Sequence, residues 1–174
     1  MKRMGLILVA VLLHGCANIP IPTMLKFSGF DATSLAAIDG HQIRAKVTVT
    51  EPHTLNIEQT QLAMELETAQ GFRRFTFPLQ LISKTTVPAE HGLFSSSAAK
   101  TQYLLKVSDA GLNSFAEIQQ LLVDKPERKC SLTVGAGFNN TLNGEANPRM
   151  SIDLQLTQDE GFFTLIEDAE LEIK

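Results

Sequence analysis

The sequence predicts a mainly β protein, an antiparallel β-sandwich of about seven strands with one helix inserted at about 109–123. Two observations lead to this prediction: apolar and polar residues alternate along most of the chain, and a single segment has apolar residues at helical spacing instead. Alternation gives each strand one apolar and one wet face, which is typical of antiparallel sheets packed on one side. Two sheets packed face to face bury such strands most simply, and a half-open barrel or a helix-backed sheet remains as an alternative.

The chain begins with a segment typical of a secretory signal peptide, residues 1–15. Lys2 and Arg3 form its positive start, and the uncharged run that follows is shorter than the roughly 20 apolar residues of a membrane-spanning helix. The end of this segment, Leu13-His14-Gly15-Cys16, resembles the lipobox of bacterial lipoproteins. An ordinary cleaved signal with a chance cysteine is the alternative.

The lipobox resemblance implies that Cys16 is lipidated and becomes the first residue of the mature protein. Its acyl chains would anchor the protein to a membrane, since two or more chains hold firmly. By the same resemblance, Ala17 implies sorting to the outer membrane of a bacterial cell envelope, with the protein facing the periplasm. Residues 16–30 are then a lipidated N-terminus and tether, predicted to be extended over 18–22 because of its prolines.

Seven alternating segments predict the strands of a single domain over residues 31–174. The apolar sets of the first four are Ile43, Ala45, Val47 and Val49; Leu55, Ile57, Leu62, Met64 and Leu66; Phe75, Phe77, Leu79 and Leu81; and Tyr103, Leu105 and Val107. Those of the last three are Cys130, Leu132 and Val134; Met150, Ile152, Leu154 and Leu156; and Phe163, Leu165, Leu171 and Ile173. A phase slip near 166–168 predicts a bulge or a bend, and Pro78 predicts an edge position for the third strand.

The inserted helix is predicted from Leu112, Phe115, Ile118 and Leu122, which are spaced three or four residues apart. Ser108 or Asp109 would cap its start, and the Lys-Pro pair at 125–126 would end it.

Composition excludes some classes of function. Removing residues 1–15 takes two of the 15 basic residues and none of the 19 acidic ones, so the mature chain has a net charge of about −6. An acidic domain lacks the basic face that nucleic acid requires. With Cys16 lipidated, Cys130 is the only other cysteine, which excludes an intramolecular disulfide and predicts a small core residue.

No segment combines residues in a convincing catalytic or metal-binding pattern. Ser97 and Lys100 match the Ser-x-x-Lys motif of penicillin-binding proteins, but neither partner motif of that family is present. Three scattered histidines of the mature chain are predicted to be solvated turn residues: His41, His53 and His91. An acidic stretch near the C-terminus lacks a calcium-loop pattern and predicts a solvated face. We therefore expect no enzyme, no cofactor and no metal.

One resemblance covers about residues 40–138. Glu51-Pro52-His53, Thr86-Val87-Pro88-Ala89, Leu105-Lys106-Val107-Ser108 and the helix from Leu112 to Leu122 are similar in order to elements of the late-embryogenesis-abundant type-2 family, also known for the water-hypersensitivity domain. This resemblance implies a small non-catalytic β-sandwich that is linked to protection under water stress.

The expected function is that of a non-catalytic outer-membrane lipoprotein, an accessory, assembly or stress-protective module that binds an envelope protein through its surface. The alternative is a carrier of lipid or another apolar ligand in a cavity between the sheets, lined by Phe75, Phe77, Phe115 and Phe138. A cell-wall enzyme built on Ser97 and Lys100 is a remote third hypothesis.

Overall fold

The computed structural model describes residues 19–28, 32–68, 71–91, 96–124, 130–139 and 147–171. Its strands are β1 (Arg44–Thr50), β2 (Leu55–Thr68), β3 (Gly71–Val87), β4 (Glu90–His91), β5 (Ser96–Ser97), β6 (Lys100–Val107), β7 (Cys130–Phe138), β8 (Arg149–Gln155) and β9 (Phe163–Glu170). Its helices are α1 (Ile21–Ser28), α2 (Ala32–Ala36), a 3₁₀ turn (Gly40–Gln42) and α3 (Asp109–Asp124).

The seven long strands form one antiparallel sheet in the order β7-β2-β3-β6-β1-β8-β9, curled into a half-barrel. Strands make up 56% of the described residues, which confirms a mainly β protein of about seven antiparallel strands. The predicted face-to-face sandwich is not confirmed. The strands follow the open alternative, a half-open barrel, because one long strand connects what would otherwise be two separate sheets.

That connecting strand is β3, whose two halves pair with different neighbours. Residues 71–78 pair with β2, and residues 79–87 pair with β6, with a register shift between Leu81 and Ser83. Pro78 is the last residue to pair with β2, and its carbonyl accepts a hydrogen bond from the Ser108 amide. The prediction that Pro78 marks an edge strand is wrong for β3 as a whole, which lies between β2 and β6 in the sheet. Each half of β3 nevertheless has a described partner strand on one side only, and the missing proline N–H falls where the strand changes partner.

The hydrophobic core fills the concave face of the curled sheet. Buried and half-buried residues alternate along β1, β6 and β8, as the sequence pattern predicts. Helix α3 packs against this face with its apolar stripe of Phe115, Ile118 and Leu122, all of them buried. Its bounds, Asp109–Asp124, confirm the helix predicted at about 109–123.

The start of α3 is fixed closely against β3. The Gly111 amide donates a 3.2 Å hydrogen bond to the Ser108 hydroxyl, a side-chain cap of the first turn. A Cβ on Gly111 would lie 2.6 Å from the Val107 side chain and 3.0 Å from the Pro78 carbonyl oxygen. Only glycine permits this approach, which brings the Phe115 ring against the Phe77 ring in a T-shaped contact with centroids 5.7 Å apart.

The N-terminal segment is helical where the sequence predicts an extended tether. Helix α1 begins at Ile21, and the Pro20 carbonyl accepts hydrogen bonds from the Thr23 and Met24 amides. The prediction of an extended chain over 18–22 is thus wrong at its end, because Pro22 lies in the first helical turn, where no amide donor is required. Among the described residues, no helix is long and apolar enough to cross a membrane.

The predicted bulge near 166–168 is confirmed in β9. Met150 pairs with Ala169 and Ile152 with Ile166, so that two residues of β9 face one residue of β8. Asp168 has a φ of 45°, and its carboxylate forms two hydrogen bonds with Arg149, of 2.6 and 3.0 Å. The Arg149 hydrogen bond and charge lower the pKa of Asp168.

Candidate functional site

An apolar cavity of about 370 Å³ lies at one end of the concave face. We call this end, around Ile43, Val107 and Leu154, the open end. The cavity wall is composed of aliphatic, aromatic and methionine side chains: Ile19, Met24, Leu35, Ile38, Ile43, Leu62, Met64, Phe77, Val107, Phe115, Leu154, Leu156 and Leu165.

The sheet supplies the floor of this cavity. Adjacent residues of β2 and β3 form one side, where Leu62 pairs with Phe77. Val107 of β6 and Leu154 of β8 lie at the ends of their strands, and Leu165 of β9 completes the opposite side. Because the sheet curls, strands that are several positions apart in its order face one another across the same space.

Helices α2 and α3 supply the second wall, and one side chain ties them together. The Gln119 amide nitrogen of α3 donates to three carbonyl oxygens that follow or end α2, those of Leu35, Ala36 and Ile38, at 3.3, 3.1 and 2.7 Å. A Cβ on Gly40 would lie 3.0 Å from the Phe115 ring, so the turn after α2 approaches α3 closely. These contacts hold Leu35 and Ile38 against the cavity.

Helix α1 covers the cavity and has few attachments to the sheet. Met24 faces the cavity, while the Thr23 hydroxyl donates to the Thr164 carbonyl and Lys26 forms an ion pair with Glu160. The Lys26 ammonium also lies 4.8 Å from the centroid of the Phe163 ring. A second, open crevice of about 370 Å³ lies between α1 and β9, beside these contacts.

The chemistry of the cavity favours a hydrocarbon. Its wall lacks side chains that could hydrogen-bond a water molecule, and a water requires about two to four such partners. Its volume falls within the roughly 300–1,000 Å³ of small-molecule sites. An acyl chain gains about 0.8 kcal/mol for each methylene that it buries. Near the cavity, Lys26 of α1 forms an ion pair with Glu160 of the turn before β9, and both side chains are partly exposed.

Only part of the predicted ligand site coincides with this cavity. Phe77 and Phe115 line it, as the carrier hypothesis predicts. Phe75 is buried elsewhere in the core, and Phe138 is half-buried beside His53, so neither lines the cavity. Sequence reasoning missed Ile19 and Met24, because they belong to the segment predicted as a tether. The apolar residues of that segment were the available signal.

The residues considered for catalysis or metal binding are not brought together. Ser97 is exposed in the short strand β5, and Lys100 begins β6. His41 is exposed, whereas His53 is only 5% exposed and meets the Phe138 ring edge-on at 6.5 Å, so the prediction of a solvated turn is wrong for His53. In the part of the chain that the structure describes, no three His, Cys, Asp or Glu side chains form a metal-binding group.

The side chains of both cysteines and of His91 lie outside the described part of the structure. Cys16 lies outside the described residues. Cys130 begins β7, but its side chain, like that of His91, is outside the description.

No family model matches this chain, and no curated protein and no solved structure matches it either.

Proposed function

We propose that this protein is a non-catalytic, lipid-anchored protein of the bacterial cell envelope that holds one acyl chain of a lipid in the cavity at its open end. The observation that carries the proposal is the cavity itself, about 370 Å³ in volume and lined by apolar side chains. A packed domain interior leaves few voids larger than a water molecule. A cavity of this size and composition is therefore suited to an apolar ligand.

The position of the cavity also supports a lipid as the ligand. It lies under α1, at the end of the chain that leads to Cys16, the residue that we propose to be acylated. The acyl chain would enter beside Met24, and its headgroup would stay near Lys26 at the surface. The proposed location is the periplasmic side of the outer membrane, with Cys16 as the anchor.

Native mass spectrometry of the acylated protein, extracted from membranes in mild detergent, tests the ligand. We expect one lipid per protein, released at higher collision energy. The Leu165→Trp variant places a larger side chain in the cavity and should lose that lipid. The Val87→Trp variant, which makes the same kind of change on an exposed strand, should keep it. Wild-type protein without bound lipid would contradict the proposal.

Radiolabelled palmitate tests the anchor separately. We expect the wild-type protein to incorporate the label and the Cys16→Ala variant to lose it. Label that persists in Cys16→Ala would place the lipid elsewhere and reject Cys16 as the anchor.

A second candidate function is binding of an envelope protein at the outer edge of β3. Residues 79–87 pair with β6 on one side, and no described strand pairs with them on the other. Leu81, Ile82 and Val87 are exposed there. Unpaired strand edges bind extended peptides by β-augmentation. An accessory, assembly or stress-protective role would use such a surface, and the resemblance to the late-embryogenesis-abundant type-2 family, with its sandwich, stays a prediction.

Affinity isolation from native membranes, with the anchor intact, tests this second candidate. The wild-type protein would retain a defined partner, and the Ile82→Lys variant would lose it, since charge on an edge strand opposes pairing. The Lys46→Gln variant on β1, which is paired on both sides, is the control and should retain the partner. Isolation of the protein alone, or equal capture by both variants, would reject the β3 edge.

A further inference from the structure

The outer face of α1 carries two large apolar side chains in water. Ile21 is 71% exposed and Leu25 is 69% exposed. They are four residues apart, so they lie on the same face of the helix. Thr23, on the opposite side of α1, is buried, whereas Met24, three residues after Ile21, is 40% exposed and also lines the cavity. The helix thus has a buried side at Thr23 and an exposed apolar side at Ile21 and Leu25, with Met24 at the cavity beside the exposed side.

The length of the chain before α1 restricts what this outer face can meet. Ile21 follows Cys16 by five residues, which span at most roughly 18 Å when fully extended. If acyl chains on Cys16 hold that residue in a bilayer, the start of α1 stays within roughly 18 Å of the membrane. This step rests on the proposed function, specifically on the anchor at Cys16.

The charges of α1 agree with a lipid surface. The helix sequence IPTMLKFS contains one lysine and no acidic residue. Amphipathic helices with exposed Ile or Leu and a basic residue lie in the interface of a bilayer, and their basic residues favour anionic lipids. Lys26 pairs with Glu160 in the structure, and it remains partly exposed on the flank of the helix.

We propose that Ile21 and Leu25 insert into the surface of a phospholipid membrane, and that this contact places the mouth of the cavity on the lipid. The partner is the membrane that holds the anchor. Met24, which directly precedes Leu25 in the helix, then lies between the bilayer and the cavity. A lipid chain would then pass from the bilayer into the cavity beside α1, which has few attachments to the sheet.

Tryptophan fluorescence provides a direct test, because the chain contains no tryptophan. The full-length acylated protein, as Leu25→Trp, is reconstituted into vesicles of phosphatidylethanolamine and phosphatidylglycerol that contain lipids brominated near the headgroup end of the acyl chain. The control is Val87→Trp. Val87 pairs with Lys100, seven residues along β6 from Val107 of the cavity, which corresponds to roughly 24 Å.

We expect bromine to quench Leu25→Trp several-fold more strongly than Val87→Trp, with a blue-shifted emission for Leu25→Trp alone. Equal quenching of the two variants in protein that floats with the vesicles would overturn the inference and leave the anchor intact. A blue shift that bromine does not quench would also overturn it, since it would indicate burial of α1 against a second copy of the chain. Protein that fails to float would reject the anchor, and with it this inference.

Discussion

The two ends of the concave face differ in how they are filled, although the same strands supply both. Along β6, Tyr103 is buried in the core, and four residues later Val107 lines the cavity. Along β8, Ile152 is fully buried, and Leu154, two residues on, lines the cavity. We call the end around Val49, Tyr103 and Ile152 the closed end, in contrast to the open end.

The difference arises from what covers each end. At the closed end, the start of β2 is tied to β6, because the Leu55 amide donates to the Tyr103 hydroxyl. A strand of the domain therefore seals the interior. At the open end, the cover is α1, held by Thr23 and Lys26. The comparison teaches that stability should depend mainly on the closed end, and ligand binding on the open end.

Truncation at each end should separate these two roles most strongly. We expect Ile152→Ala to lower the free energy of unfolding by about 2–5 kcal/mol, the usual cost of a cavity in a packed core. Met24→Ala, at a partly exposed position, should cost less than about 1 kcal/mol but reduce retention of lipid. Urea unfolding and lipid extraction measure the two effects. Equal costs for the two variants would contradict the distinction.

The contact between α3 and β3 supports both ends of the concave face. Adding a single methyl group at Gly111 tests this contact. Gly111→Ala should lower the free energy of unfolding by about 1–3 kcal/mol, because the new Cβ would overlap Val107 and the Pro78 carbonyl. Gly135→Ala is the matched control, since its Cβ would have no neighbour closer than 3.7 Å; we expect a change of less than about 1 kcal/mol. A Gly111→Ala variant as stable as this control would reject the close approach of α3.

The smallest expected effect concerns the bulge at the edge of the sheet. The lowered pKa of Asp168 means that its ionised form stabilises the folded protein above the ordinary value of 3.8, and that this contribution is lost as the pH falls through the lower folded pKa. Both side chains of the Asp168–Arg149 pair are about half exposed, so Asp168→Asn should cost at most about 1 kcal/mol at neutral pH.

Thermal unfolding as a function of pH measures this contribution. The deficit of Asp168→Asn should shrink on acidification below pH 3.8. Asp159→Asn, in the exposed turn before β9, is the control and should have a smaller effect. A deficit of Asp168→Asn that grows on acidification would contradict the assigned sign.

The sequence pattern predicted the strands and the helix because burial on one face leaves a direct record in alternating or helical spacing. Residues such as Val47, Leu105 and Phe115 follow it. The curl of the sheet was not predictable in this way. It depends on β3 changing partners after Pro78, a choice between neighbours that alternation does not encode.

The candidate site was predicted only where its residues belong to elements with a regular apolar spacing. Phe77 and Phe115 belong to patterned elements, and both line the cavity. Ile19 and Met24 also line the cavity, but they do not belong to a patterned element, because a segment with two prolines and eight helical residues is too short for a clear period. His53 was expected in water since it lies beside a turn, but it is buried with its ring against Phe138 of β7.

The central claim is that the open end holds an acyl chain. Its most direct test is a crystal structure of the protein soaked with a fatty acid brominated at the end of its chain. We predict an anomalous bromine peak inside the cavity, between Phe115 and Leu165, with the carboxylate toward α1. A cavity closed by its own side chains, or bromine found only on the outer surface, would contradict the account.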